Sequence, residues 1–428
     1  MPTKQRTPLE LTQAVLDVSV TERGTYNKCP RQWELQVLEN LQPAVPPKFD
    51  LEFGAGIHKA LETYYIGISN LPSLPDTKAQ RASPLKGALA AWDQWYTEVE
   101  VRLERAQAPA ETLDQWLELG DFGEEILRGY GTYARQEDNF TVHAVEGLQT
   151  GAGKSWLNKH YQEREFISEL AQNGVHLASD LTGRNYSQGR RFLVPILDPK
   201  TQKPLKRNPM LSARIDLLTH RIDPGMKGLW IYDHKTTSGS PSDRNLDFDD
   251  QVTAYCYVVW RWLGMVPRGV CFNYLVKQVP KDPRILKGNK LSYAKNQLTR
   301  PDWYRAELRE RGLMLKDGTI EDDHYLEAYE ALLSRGWDPF FKRHYVTRNK
   351  HELLAFEERL ADEYWDMYDS YMGDKMIRPH FSPPYAPWCT YCNVAPICQA
   401  IEDGSDVEGI IESRYEDGGD RKAEFDVD

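Results

Sequence analysis

The reading of this chain turns on Leu211-Ser212-Ala213-Arg214-Ile215-Asp216-Leu217-Leu218 and, after a turn at Asp223-Pro224-Gly225, on Leu229-Trp230-Ile231-Tyr232-Asp233-His234-Lys235-Thr236. β-Branched and aromatic residues dominate both stretches and a Pro-Gly breaker separates them, so the pattern predicts the two arms of a β-hairpin. Each arm carries one acid inside an apolar run: Asp216 between Ile215 and Leu217, and Asp233 between Tyr232 and His234. A buried carboxylate is costly unless it holds a cation or a partner. Alternate strand residues share a face, so Asp233 and Lys235 are expected to address one small site. Two acids with a lysine beside them suit a metal and a phosphate. A salt bridge across the hairpin is the other reading of an isolated Asp-x-Lys, and the rest of the chain has to decide between them.

Working outward, Asp249-Asp250-Gln251-Val252-Thr253-Ala254-Tyr255 opens a helical pattern that places Gln251 and Tyr255 on one face, and Arg268 to Lys277 reads as a further strand. The order strand, strand, helix, strand predicts an α/β (α+β) chain with a mixed sheet and a helix on one face. Upstream, Val142 to Leu148 is a strand candidate with Glu146 near its end, and Phe192 to Leu197 reads as an extra strand before the hairpin. Residues of about 86 to 137 read as a helical lobe with tryptophans in its core. His58, Leu61 and Tyr65 share a helical face, where a lone histidine serves equally as a packed residue or a ligand. Tyr325 to Leu333 and Glu352 to Tyr371 are helical as well.

With 428 residues, 40% hydrophobic, 27% charged and 11% aromatic, the composition is that of a globular protein of two or three lobes. No apolar run reaches the roughly 18 residues needed to span a bilayer, and the N-terminus lacks a secretion signal, so a cytoplasmic location and no membrane partner are expected. The net charge of −11 is uneven: from Glu402 onward eleven acids face Arg414, Arg421 and Lys422. That acidic tail is expected to be disordered. Arg184 to Arg207 and Lys277 to Arg300 each hold seven Lys/Arg against a single acid, Asp198 or Asp282. Both are candidate phosphate-facing surfaces, with Tyr186, Tyr274 and Tyr293 as stacking faces for an unpaired strand, although a solvated loop has the same composition.

Of six cysteines, Cys256 and Cys271 lie in apolar elements, where free cysteines act as small hydrophobes. Cys389, Cys392 and Cys398 sit in a proline-rich segment that turns several thiols toward one point, and Cys29, followed by Pro30, is the candidate for a fourth. Zinc and an iron-sulfur cluster both accept four thiolates. A single N-terminal cysteine far from the other three departs from the paired spacing of common zinc sites and points to a cluster. Either group would staple the two ends of the chain together.

In order along the chain, Tyr26-Asn27-Lys28-Cys29-Pro30-Arg31, Gly54-Ala55-Gly56-Ile57-His58, Ala213-Arg214-Ile215-Asp216, Asp233-His234-Lys235, Gln251 to Tyr255 and Cys389-x2-Cys392-x5-Cys398 resemble the motifs of the PD-(D/E)XK nuclease superfamily. The likeness is to its RecB-like branch with an iron-sulfur cluster, which includes the AddB nuclease domain, CRISPR-associated adaptation nucleases and phage-encoded exonucleases. It implies a restriction-endonuclease-like mixed central sheet flanked by helices. It further implies that His58, Asp216 and Asp233, with the backbone carbonyl of His234, hold Mg²⁺ or Mn²⁺. Lys235 would activate water and offset phosphate charge, Gln251 and Tyr255 would position substrate or Lys235, and Glu146 matches a family glutamate. Cys29, Cys389, Cys392 and Cys398 would hold a 4Fe-4S cluster. Ala213 stands where a glycine is common in the family.

The implied activity is a metal-dependent DNA nuclease, an exonuclease acting on single-stranded or end-bearing DNA in recombination, repair or replication. A non-catalytic DNA-end binding module of the same fold and a nuclease with structural zinc are the alternatives. No helicase P-loop of the form G-x-x-x-x-G-K-S/T is present, so unwinding would require a helicase or recombinase partner. The expected divisions are N-terminal helices with Cys29 and His58 (1–66), a helical lobe (67–140), the nuclease core sheet (141–280), a basic loop and helices (281–380), the cysteine segment (381–401) and the acidic tail (402–428).

Overall fold

The computed structural model describes residues 17–45, 49–71, 78–146, 148–149, 191–239, 246–247, 249–373, 375–377 and 387–417. The chain begins with β1 (Val18–Ser19), α1 (Val20–Lys28), α2 (Pro30–Trp33) running into a π-turn over Glu34–Leu38, and β2 (Leu41–Pro43). Three long helices follow: α3 (Asp50–Ser69), α4 (Lys78–Arg105) and α5 (Ala110–Glu137). Strands β3 (Phe140–Val145), β4 (Leu148–Gln149), β5 (Phe192–Pro195), β6 (Met210–Ala213), β7 (Leu217–Arg221) and β8 (Gly228–Thr237) lead to α6 (Asp250–Leu263) and β9 (Gly269–Val276). The remainder comprises β10 (Ile285–Leu286), β11 (Lys290–Leu291), α7 (Pro301–Glu310), α8 (Asp323–Arg335), β12 (Phe341–Thr347), α9 (Lys350–Met372), α10 (Ala395–Asp403), α11 (Val407–Arg414) and β13 (Tyr415–Asp417).

The main sheet has the order β12-β9-β8-β7-β3-β4. All its pairs are antiparallel except β8 and β9, which α6 connects as a parallel crossover unit. Strand parity distributes its residues between two cores. Leu229 and Ile231 of β8, Val270 and Phe272 of β9 and Leu218 of β7 pack against α6 and α9. Trp230, Tyr232, Cys271 and Leu217 pack against α3, α4 and α5. The lobe is tight where its helices meet: a Cβ on Gly56 would lie 2.4 Å from the Trp95 ring and one on Gly123 would lie 2.1 Å from the Trp92 ring, so only glycine fits at these crossings.

The first arm of the expected hairpin is two strands, not one. β6 pairs with β5 and, in parallel, with β1 in a separate small sheet, whereas β7 enters the main sheet beside β8. Arg214-Ile215-Asp216 carries the chain from one sheet to the other, which puts Asp216 at the break rather than on a strand. The Phe192 strand falls in this small sheet. Within the expected basic loop and helices, β12 is a strand that pairs with β9 along its whole length and completes the main sheet. Residues 285–332, which precede it in the chain, hold a separate core of Leu291, Tyr304, Leu308, Met314, Ile320, Ala328 and Leu332.

The first and last parts of the described chain meet. β13 pairs antiparallel with β2, and Leu35 packs with Val394, Ile397 and Tyr415. Residues 402–417, expected to be disordered, therefore form the end of α10, then α11 and β13; apolar Val407, Ile410 and Ile411 on the helical face of an otherwise acidic segment provide the anchor. The rest of the tail, Tyr186 and the Arg184–Arg190 part of the first basic stretch lie outside the described residues. Among the described residues no helix is long and apolar enough to cross a membrane.

Candidate active site

The site opens where β7 and β8 part. Their pairing ends at Leu217 opposite Tyr232, while β8 runs on beside β9 as far as Thr237. Beyond Tyr232 the edge of β8 that β7 has left is taken up by Asp216, whose Oδ2 accepts the backbone amide of His234 at 2.6 Å. The backbone carbonyl of Asp216 accepts the amide of Glu146 at 3.0 Å, which ties the end of β3 to the same break. Glu146 adopts a left-handed conformation with φ of 47°, a cost of about 1–3 kcal/mol for a residue with a Cβ. That strain turns its carboxylate inward, where it is 2% exposed.

Helix α3 brings His58 over this corner, with Nδ1 3.3 Å from Asp216 Oδ2. One donor atom each from His58, Glu146 and Asp216 all lie within 4.8 Å of one another. Parity on β8 then separates Asp233, His234 and Lys235. Asp233 and Lys235 face α6 and pair at 2.8 Å. Lys235 Nζ donates to Gln251 Oε1 at 3.4 Å, and Gln251 Nε2 donates to Tyr255 OH at 3.0 Å, the two residues being one turn apart on α6. The His234 ring points the other way into the lobe, stacked on Tyr65 at 5.7 Å with 11° between planes.

The electrostatics follow from burial and from this spacing. Burial raises the Asp216 pKa, but His58 and then the His234 amide more than offset it, so Asp216 sits well below the usual carboxylate range. Burial lowers the His58 pKa, yet Asp216, with Asp233 and Glu146 behind it, carries it up to about 9. Burial and the Asp216 charge push Glu146 up to about 7, against the pull of Arg214. Asp233 is raised by burial despite Lys235, and Lys235 is itself raised because the pull of Asp233 exceeds the cost of burying an ammonium. Burial drives His234 down to about 3, so its ring is neutral.

All eight active-site candidates, His58, Glu146, Asp216, Asp233, His234, Lys235, Gln251 and Tyr255, thus meet in one corner. Glu146 completes the tight donor set with His58 and Asp216, Asp233 engages Lys235, and His234 presents its amide to Asp216. The sequence assigns no role to Arg214 or Asn273, whereas Lys277 opens the second basic stretch. Arg214 Nε donates to Glu146, and its place two residues before Asp216 was the available signal. Asn273 donates to the His234 ring; a fully buried amide in the apolar strand Gly269–Val276 was the clue. Lys277 lines a cleft of about 520 Å³ together with Asp50, Leu51, Gly54, Ala55, His58, His234, Lys235 and the 236–238 segment.

The cysteines form a second centre. Cys29 precedes α2, Cys389 and Cys392 flank the end of a tight helical turn over Pro387–Tyr391, and Cys398 lies in α10. Burial raises the Cys392 and Cys398 thiols, the latter to about 11, and Cys29 adds to both shifts, as Cys389 does at Cys392. All four thiols are free and are electrostatic neighbours.

No curated protein sequence matches this chain. A family model described as the PD-(D/E)XK nuclease superfamily matches residues 17–399, which run from β1 into α10 and include every residue of both centres. The chain belongs to the PD-(D/E)XK nuclease superfamily.

Proposed function

We propose that this chain is a metal-dependent deoxyribonuclease, and more finely an exonuclease that acts on single-stranded or end-bearing DNA in recombination, repair or replication. The observation that carries the reading is the convergence of His58, Glu146 and Asp216 within 4.8 Å, at the corner where β8 offers Lys235. One imidazole and two carboxylates are a donor set that suits Mg²⁺ or Mn²⁺. A divalent cation there supplies Lewis acidity toward a phosphoryl oxygen and makes water a competent nucleophile near neutral pH.

The remaining work falls to the chain itself. His58 has to give up its proton to act as a ligand. Arg214 holds the Glu146 carboxylate in place and the His234 amide holds that of Asp216. Asp233 keeps Lys235 charged, and Gln251, steadied by Tyr255, holds the ammonium toward the site, where it can donate to the scissile phosphate or orient the attacking water.

The route for the strand is supported by charge. Lys277 lines the cleft, and the chain continues from it into the hairpin of β10 and β11. Lys281, Arg284, Lys287 and Lys290 are all exposed there and have no ion-pair partner among the described residues. Such a cluster attracts a phosphate backbone through counterion release.

For the cysteine centre the proposal is a 4Fe-4S cluster on Cys29, Cys389, Cys392 and Cys398. A single N-terminal cysteine far in sequence from the other three departs from the paired spacing of common zinc sites, which supports the cluster over zinc. The test of substrate and mode is digestion of end-labelled linear and circular single-stranded DNA with Mn²⁺. Degradation of the linear strand with the circle spared is expected; cleavage of the circle would exclude the exonuclease reading.

A further inference from the structure

The face of β8 turned away from the substrate rests on a closed ring of buried hydrogen bonds that the proposed chemistry does not itself use. Asn273 of β9 stands opposite His234 of β8 and is fully buried. Its Oδ1 lies 3.2 Å from Arg343 Nε. A guanidinium only donates, so that contact identifies the Asn273 oxygen and fixes the amide: Nδ2 must face the other two partners. It does so at 2.8 Å from His234 Nδ1 and at 2.8 Å from Tyr130 OH.

The proton order around the ring follows. Tyr65 OH donates to the Asp138 carboxylate at 2.9 Å, and Tyr130 OH lies 2.6 Å from Tyr65 OH. With its hydrogen committed to Asp138, Tyr65 accepts from Tyr130, and Tyr130 in turn accepts from Asn273. Arg343 closes the circuit by binding Asp138 as well as Asn273. Arg343 donates at both ends of the ring, and between them the bonds run in one direction from Asn273 through Tyr130 and Tyr65 to the Asp138 carboxylate. His234 Nδ1 meets a donor and is therefore an acceptor, so the ring proton of His234 sits on Nε2.

We propose that Asn273 is a positioning residue: through the His234 ring it fixes the β8 backbone whose amide holds Asp216, and so tunes the affinity of the His58, Glu146 and Asp216 centre for its cation. The proposal rests on the metal-site reading above. Residues that orient a ligating carboxylate typically change metal affinity about 10–100-fold when altered. The path here is short: amide to imidazole, imidazole to its own backbone, and N–H to Asp216 Oδ2 at 2.6 Å. Stacking of Tyr65 on the His234 ring removes the remaining freedom of that side chain.

The experiment pairs ¹⁵N NMR of the histidine rings with Mn²⁺ titration of the full chain, for the parent, Asn273→Asp and Tyr130→Phe. The parent is expected to show a neutral His234 with its proton on Nε2. Asn273→Asp replaces the donor with an acceptor, so it moves a proton onto Nδ1 and weakens Mn²⁺ binding about 10–100-fold. Tyr130→Phe leaves Asn273 held by Arg343, and should keep both the tautomer and the Mn²⁺ affinity within about threefold. A parent His234 protonated on Nδ1 overturns the assignment with no variant needed. Equal Mn²⁺ affinity in parent and Asn273→Asp also overturns it. A parent with the Nε2 proton that binds no Mn²⁺ sinks the metal-site reading, and the positioning role with it.

Discussion

Asp216 Oδ2 accepts the backbone amide of His234 at 2.6 Å, which makes one carboxylate both a candidate ligand and the cap on the strand that carries Lys235. The same oxygen lies 3.3 Å from His58 Nδ1. Asp216→Asn separates the two roles, because the carboxamide oxygen still accepts the amide while the charge is gone. The variant should fold, lose at least about tenfold in Mn²⁺ affinity, and let the His58 pKa fall from about 9 toward the ordinary value near 6.5. Histidine NMR and a Mn²⁺ titration read these effects together. A variant that bound Mn²⁺ like the parent would remove Asp216 from the ligand set.

Metal affinity should depend on pH with a definite sign. A cation has to displace the protons of its ligands, so binding strengthens as pH rises until they are already lost. With Glu146 at about 7 and His58 at about 9, the logarithm of the Mn²⁺ affinity should climb by about two per pH unit below 7 and by about one between 7 and 9, then level off. Calorimetric titration in buffers of different ionisation enthalpy counts the protons released. A flat profile would show that His58 is not a ligand.

The hairpin of β10 and β11 makes a prediction in salt rather than pH. Each phosphate contact contributes roughly 0.7 to the slope of log affinity against log salt on single strands. Replacing Lys287 and Lys290 with Ala should therefore reduce the slope by up to about 1.4, without changing Mn²⁺ affinity. Anisotropy titrations of a labelled oligonucleotide at several salt concentrations give the slope. An unchanged slope would place the strand elsewhere on the surface.

The cysteine centre predicts colour and a folding penalty. Protein purified without oxygen should be brown and contain iron, and Cys29→Ser should abolish the colour. Because residues 29 and 398 lie near the two ends, losing the link should cost up to about 5 kcal/mol, the scale of a cross-link that closes a long loop. The pairing of β2 with β13 holds the ends independently and will keep the actual loss smaller. Colourless protein with stoichiometric zinc would replace the cluster with a zinc site.

Much of this was legible in the sequence because it rests on short-range rules. Parity along β8 predicted that Asp233 and Lys235 share a face, and helical spacing predicted the same of Gln251 and Tyr255. The sheet change at Arg214-Ile215-Asp216 was not legible, because the residues on both sides of the break are equally strand-like and only tertiary pairing assigns them to different sheets. Glu146 was underweighted for a related reason: its inward turn depends on one left-handed backbone angle and on a hydrogen bond from Asp216. The role of Asn273 needs Tyr130, Arg343 and His234 from three further elements, and no local pattern announces such a ring. The acidity of residues 402–417 concealed the few apolar residues that anchor them.

The central claim is that Lys235, set by Asp233 and Gln251 beside the His58, Glu146 and Asp216 centre, drives phosphodiester hydrolysis. The most direct measurement compares parent and Lys235→Met on end-labelled linear DNA with Mn²⁺, with Mn²⁺ affinity measured on the same samples. The parent should degrade the DNA, and the variant should bind Mn²⁺ as tightly but cut about 100–1,000-fold more slowly, the range for removing one preorganised charge-stabilising donor. Equal rates for the two proteins would contradict the account.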